Sequence, residues 1–372
     1  MNQLLHVSSS PHIKDKVTTS SIMLDVVIAL LPATFFGIYQ FKIKALLIIL
    51  TTIITCVLSE YIYEYFMKKT ITIKDLSAVV TGLILALNLP ATVPLWIPMI
   101  GGIFAIIVVK QLYGGLGQNF MNPALVARCF LLISFAGRMT NFVFDGLTSP
   151  TPLVVLKNGQ SYELLKMFLG TTSGTIGETS TFALLIGAGY LLIKGIIKVT
   201  IPLTYLIIFS IFTLFFSPCS FDFYYLACEL CGGGLIFGAF FMATDYVTSP
   251  MDRKGQIVYG IILGILTGLF RFFGTSSEGV SYAIIISNLL VPLIDKITLK
   301  GGVFLKKIIK DVFILCLITI ICGGLMGYVY QITKKPIEKQ VKQTQQEAYK
   351  LVMKKATSFK KYEVQKIKKL SK

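Results

Sequence analysis

Long apolar runs alternate with short polar connections along the chain, at 22–41, 44–66, 77–89, 95–113, 122–137, 181–196, 199–217, 223–243, 256–273, 279–294 and 310–331. Runs of roughly 15 to 25 residues suit helices that cross a bilayer, which need about 20 apolar residues each. The third run is cut short by Asn88-Leu89-Pro90, and the eighth is interrupted by Gly232-Gly233-Gly234. Runs 1–5 and 6–10 therefore read as two halves in which the third and eighth members correspond. The text from Ser77 to Pro90 resembles that from Gly233 to Asp245. An odd number of spans per half makes the halves inverted. Paired, interrupted segments point to a site near the midplane, because a broken helix exposes backbone groups that must serve a cavity or ligand. The expected fold is an all-α polytopic membrane protein: about ten transmembrane helices in two inverted five-helix repeats with broken helices, plus one C-terminal transmembrane helix.

Composition sharpens this picture. Of 372 residues, 54% are hydrophobic and 14% charged, against roughly 25% charged in a soluble domain, which excludes a soluble globular enzyme. The net charge of +17 suggests nucleic acid at first sight, but no water-exposed domain gathers basic residues on one face, so no nucleic-acid partner is expected. The lipid bilayer is the partner that the pattern demands. Lys and Arg near the span ends number 16 on one side, Lys110 and Arg128 included, and 6 on the other, Arg271 included. This bias predicts a cytoplasmic N-terminal segment (1–21) and places the long 138–180 connection outside. The polar start predicts no cleavable signal peptide. Seven cysteines, mostly within or beside apolar runs, read as small packing residues and not as a disulfide framework.

Ionisable residues inside spans are costly and mark candidate sites. Asp25, Glu229 and Asp245 qualify, with the polar Asn119, Asn122 and Asn288 beside them. No phosphate-binding loop or metal-ligating motif accompanies them. From the residues alone, a transporter or channel with a midplane site is the default reading.

Several long motifs occur in order: Ser8-Ser-Ser-Pro-His12, Asp75-Leu-Ser-Ala-Val-Val-Thr-Gly82, Ala86-Leu-Asn-Leu-Pro90, the run from Val109 to Asn122-Pro123, Ile176-Gly-Glu-Thr-Ser180, Ala243-Thr-Asp-Tyr-Val-Thr-Ser-Pro250, Glu278-Gly-Val-Ser-Tyr282 and Val291-Pro-Leu-Ile-Asp295. Together they resemble the D subunit of the Rnf ion-translocating electron-transport complex over about 4–297. The related B subunit of the sodium-pumping NADH:quinone reductase is the second resemblance. The resemblance implies a multi-pass protein of a bacterial cell membrane that relays electrons between ferredoxin- and NAD-linked partners, coupled to Na⁺ or H⁺ movement. It implies the A, B, C, E and G subunits of the Rnf complex as partners and a flavin transferase for maturation.

In that family FMN is esterified through its phosphate to a Thr in a D-x-x-[ST]-G-A-T-like loop. Here the matching stretch is Asp145-Gly146-Leu147-Thr148-Ser149-Pro150-Thr151-Pro152. Thr151 falls on the acceptor position, with Asp145, Gly146, Thr148 and Ser149 around it. Small, turn-forming residues there predict an exposed hydroxyl. Ser149-Pro150 departs from the usual Gly-Ala and stiffens the approach. Thr148 and the Thr171, Thr172, Thr175 group are alternative acceptors. The resemblance also implies a second, noncovalent flavin, riboflavin, for which Asn88, Asn119, Asn122, Thr244 and Asp245 are the candidate residues.

The membrane domain at 22–297 gives way to 298–372, where the eleventh run, 310–331, and a tail with 13 Lys against 3 Glu resemble the membrane anchor of the neighbouring G subunit. No second flavin-acceptor motif follows residue 331. A fusion of the two subunits, a truncated product and a natural short form are all open readings.

Overall fold

The computed structural model describes residues 18–144, 147–148, 151–157, 162–219, 221–274 and 279–298. The eleventh run and the basic tail lie outside them, as do Asp145, Gly146 and Ser149 of the expected flavin loop.

Helix α1, Thr19–Phe66, is 48 residues long, or about 72 Å at 1.5 Å per residue, too long for one crossing. It breaks at Lys42, where φ is 57° and ψ is −142°, so its arms are the first two apolar runs. A 3-10 turn at Ile73–Asp75 leads into α2, Ser77–Leu87, whose start is held by Asp75 accepting from the Ser77 amide at 2.8 Å. Helix α3, Trp96–Ile103, continues as a π-helical stretch, Phe104–Gln111. Helix α4, Pro123–Ser134, has Asn122 as its N-cap, accepting from the amides of Ala124 and Leu125, and Pro123 in its first turn. This is the arrangement in which Pro lacks only an N–H that would be orphaned anyway.

The connection between the halves holds a one-turn helix α5, Ala136–Met139, a two-stranded hairpin of β1, Val143–Phe144, and β2, Leu147–Thr148, and two short helices, α6, Pro152–Lys157, and α7, Leu164–Leu169. The second half follows as α8, Thr181–Ile193, α9, Thr200–Phe216, α10, Phe223–Cys231, α11, Leu235–Phe237 running into a π turn at Gly238–Met242, α12, Arg253–Phe273, and α13, Val280–Thr298. Helix α10 and the α11 segment meet at 61°. Gly233 and Gly234 turn the chain there at φ of +60° and +65°, values that side-chain-bearing residues rarely adopt.

The described chain is thus all-helical apart from the two-residue strands, and the third member of each half is short or broken, as the runs imply. The members are unequal in length. Helices α1, α12 and α13 and the bent pair α10–α11 are long and apolar enough to cross a membrane. Helix α9, with 17 residues, reaches about 26 Å, and α2, with 11, only about 17 Å, against a hydrocarbon core of about 30 Å. Both fall short of a crossing by length, and non-helical backbone is tolerated at membrane depth only where protein or a cavity surrounds it.

Small residues set the closest helix contacts. Gly260, Gly264 and Gly268 form one stripe on α12 against Thr204, Ile208 and Phe212 of α9, with an added Cβ at Gly264 falling 2.8 Å from the Ile208 Cβ. Gly187 of α8 lies against the Ala29 carbonyl of α1. These contacts match the small-residue packing by which membrane helices approach. Large apolar side chains such as Phe35, Ile133 and Phe215 face outward, the surface a bilayer covers.

Candidate functional site

Thr151 opens α6, its carbonyl accepting from the amides of Val154 at 2.9 Å and Val155 at 3.3 Å. It is 8% exposed, and its Oγ1 has no hydrogen-bond partner among the described residues. The exposed hydroxyl expected from the turn-rich sequence is therefore not what the structure shows. Helix α6 folds back onto the break of the eighth run. Leu153 occupies the space beside Gly233 that a Cβ would take, Tyr225 donates to the Leu156 carbonyl at 3.4 Å, and Lys157 to that of Gly274 at 2.6 Å.

Around Thr151 is a pocket of about 370 Å³, counting space open to the outside, lined by Met167, Thr172, Ser173, Gly174, Glu178, Thr179, Cys231, Gly232 and Gly233. The alternative acceptor Thr172 thus lines the same pocket as Thr151. Thr175 is buried and pairs with Pro90 across an isolated bridge. Thr148 sits in β2, paired with Val143. A buried hydroxyl without an acceptor is unfavourable, and esterification of Oγ1 would remove the donor that the site leaves unmatched. The residues fit a covalent phosphoester in this respect.

The segment after the pocket ties the halves together. The Ile176 amide donates to the Leu89 carbonyl at 3.0 Å and that of Gly177 to the Leu87 carbonyl at 2.7 Å, satisfying groups that the end of α2 would otherwise leave orphaned. Asn88 sits at this junction, fully buried, with Nδ2 donating to the Ile84 carbonyl at 2.7 Å.

A second, larger cleft of about 760 Å³, again counting open space, lies between the halves. Ser77, Thr81, Lys110, Asn119 and Asn122 line it from the first half, and Phe240, Phe241, Thr244, Asp245 and Tyr246 from the second. Four of the five residues expected for a second flavin, Asn119, Asn122, Thr244 and Asp245, come together here; Asn88 does not line it. Asn119 is buried, its Nδ2 donating to the Met121 carbonyl at 3.1 Å while its Oδ1 has no partner among the described residues. Asp245 accepts from the Val247 amide at 3.4 Å and the Thr248 hydroxyl at 3.1 Å. Asn288, with its Nδ2 turned to donate to the Thr248 carbonyl at 3.2 Å, accepts from the Asn122 amide at 3.3 Å, so it stitches both sides of the cleft. An apolar slot with a few convergent polar groups suits a planar heterocycle that both donates and accepts hydrogen bonds.

Buried ion pairs complete the described interior. Lys110 Nζ lies 2.6 Å from Glu60 Oε1, Arg271 Nη1 2.9 Å from Glu229 Oε2, and Arg128 Nη1 3.3 Å from Glu178 Oε1. Arg128 also donates to the Ser281 hydroxyl at 2.7 Å, joining α4 to α13. Of the other candidate charges, Asp25 accepts from the Tyr190 hydroxyl at 2.6 Å, joining α1 to α8. Sequence reasoning found Glu229 but placed Lys110, Arg128 and Arg271 among the charges that orient the chain. They are buried and carry no orientation signal, although the bias of Lys and Arg keeps its sign without them. Their apolar neighbours within runs 4, 5 and 9 were the available clue.

The NQR2, RnfD, RnfE family matches residues 6–303, and the RnfG N-terminal region matches residues 300–352. The chain is 46% identical over 321 residues to the D subunit of the Na(+)-translocating ferredoxin:NAD(+) oxidoreductase complex of Acetobacterium woodii, covering 84% of this chain and 99% of the relative. It is 42% identical over 310 residues to the D subunit of the proton-translocating ferredoxin:NAD(+) oxidoreductase complex of Clostridium ljungdahlii, covering 78% and 94%. It is 34% identical over 345 residues to the D subunit of the ion-translocating oxidoreductase complex of Actinobacillus succinogenes, covering 79% and 96%. The chain belongs to the NQR2, RnfD, RnfE family.

Proposed function

We propose that the chain is the D subunit of an ion-translocating ferredoxin:NAD(+) oxidoreductase complex, carrying FMN on Thr151 and riboflavin in the cleft between its halves. The observation that carries this reading is the buried, unpartnered Thr151 hydroxyl at the acceptor position of the Asp145–Thr151 stretch, in a chain that spans nearly all of its relatives. Bound flavin would supply one- and two-electron redox chemistry. The chain's own residues do the rest. Thr151 tethers at Oγ1, Leu153 and Lys157 hold α6 down, and Asn119, its Oδ1 unpartnered among the described residues, lines the cleft. The N-terminus is cytoplasmic in this reading, and the Thr151 connection faces outward. The relatives named above differ in coupling ion, so family membership by itself names none.

The test is intact mass and in-gel fluorescence of the chain made with its complex and flavin transferase. Wild type and Thr148→Ala should carry covalent flavin, and Thr151→Ala should lose it. A Thr151→Ala chain that stays fluorescent would sink the assignment, and a flavin-free wild type would favour a transporter.

A further inference from the structure

Lys110 is the only cation lining the cleft among the described residues, and it is almost completely buried. The π-helical stretch Phe104–Gln111 sets Lys110 and Gln111 side by side against α1, a local irregularity of the kind that often marks functional positions. Lys110 Nζ donates to Glu60 Oε1 at 2.6 Å and to the Ser77 hydroxyl at 2.5 Å. An ammonium has three N–H groups, so one has no acceptor among the described residues. Gln111 Nε2 reaches Glu60 at 2.8 Å and Glu64 at 3.3 Å, and Asp75 accepts from the Ser77 hydroxyl at 2.6 Å. Glu60 Oε2 has no partner among the described residues. Asp245 is the only acid lining the cleft among them.

We propose that Lys110 is a positioning residue that sets the reduction potential of the flavin in this cleft, by fixing a positive charge in its wall. The inference rests on the reading of the cleft as a flavin site. An electron arriving from an iron–sulfur or flavin donor of a neighbouring subunit adds one negative charge to the cleft. No bond forms or breaks, Lys110 keeps its proton and Glu60 its charge. In an apolar, poorly screened interior a fixed cation acts far more strongly on such a charge than it would in water. The Glu60 carboxylate opposes it, so the two residues should move the potential in opposite directions.

The experiment uses the intact complex, with acid-extractable flavin quantified and its midpoint potential measured spectroelectrochemically. Lys110→Met should retain the flavin and lower its potential enough to change the oxidised-to-reduced ratio at least tenfold, about 59 mV for one electron. Glu60→Gln should raise the potential. Should Lys110→Met fail to fold, Lys110→Met/Glu60→Gln, which leaves neither residue charged, should fold and can be compared with Glu60→Gln; a lower potential in the double variant supports the same conclusion. A flavin that stays bound at an unchanged potential without Lys110, or shifts of the same sign in both single variants, would overturn the inference. A wild-type complex without acid-extractable flavin would overturn the reading of the cleft and this inference with it.

Discussion

Arg271 of α12 holds Glu229 of α10 at 2.9 Å and at the same time donates to the Glu229 carbonyl at 2.7 Å and the Gly232 carbonyl at 2.8 Å. One guanidinium thereby neutralises an interior acid and satisfies the carbonyls that the broken eighth run leaves without helical partners. Its face also lies 5.0 Å from the Phe209 ring centroid.

Replacing Arg271 with Met strands Glu229 and those carbonyls in the interior. Removing one partner of a buried pair costs about 3–5 kcal/mol, so the variant should show a large fall in thermal midpoint in detergent and low membrane yield. Arg271→Met/Glu229→Gln should recover part of the loss. A variant as stable as wild type would show that water reaches this pair.

Gly264→Val tests the α9–α12 contact. The added Cβ would meet Ile208 Cβ at 2.8 Å and the Phe209 amide at 2.9 Å, and backbone and Cβ atoms cannot turn aside. Overpacking of this kind costs about 1–3 kcal/mol. Thermal unfolding should register it, whereas Gly189→Ala on α8, where a Cβ meets nothing within 4 Å, should cost nothing and stabilise by up to about 1 kcal/mol.

On the flavin reading proposed above, Asn119→Leu should abolish acid-extractable flavin and leave covalent flavin in place, because Asn119 lines the cleft and its Oδ1 has no partner among the described residues. Asn88→Leu should retain the noncovalent flavin, since Asn88 does not line the cleft. Flavin content after acid precipitation separates the two, and equal loss in both variants would place the flavin elsewhere.

Gly233→Ala should loosen the seat of α6. At φ of +60° the new side chain strains the backbone by about 1–2 kcal/mol, and its Cβ would collide with Leu153. If a transferase must reach a Thr151 that is buried when α6 is docked, initial flavinylation of this variant should be at least as fast as that of wild type, despite lower stability. Slower flavinylation would mean that the docked arm is what the transferase recognises.

The sequence by itself determined the class and order of this fold. Bilayer thickness fixes how many apolar residues a crossing needs, and Gly and Pro mark where a crossing fails, so the ten runs up to 294 and their interrupted third and eighth members were legible. The turn-forming composition of 145–151 was legible too, because turn residues act locally. Only the tertiary structure decided what lies beside what. Lys110 and Arg271 read as ordinary charges near span ends until Glu60 and Glu229 are found across from them, and Asn119 and Asp245 line one cleft only because the two halves close on each other. Thr151 reads as exposed from its immediate neighbours in sequence and is buried in a pocket whose lining runs from Met167 to Gly233. Pairing and burial depend on long-range contacts, and no local pattern of hydrophobicity encodes which partner a buried polar group will meet.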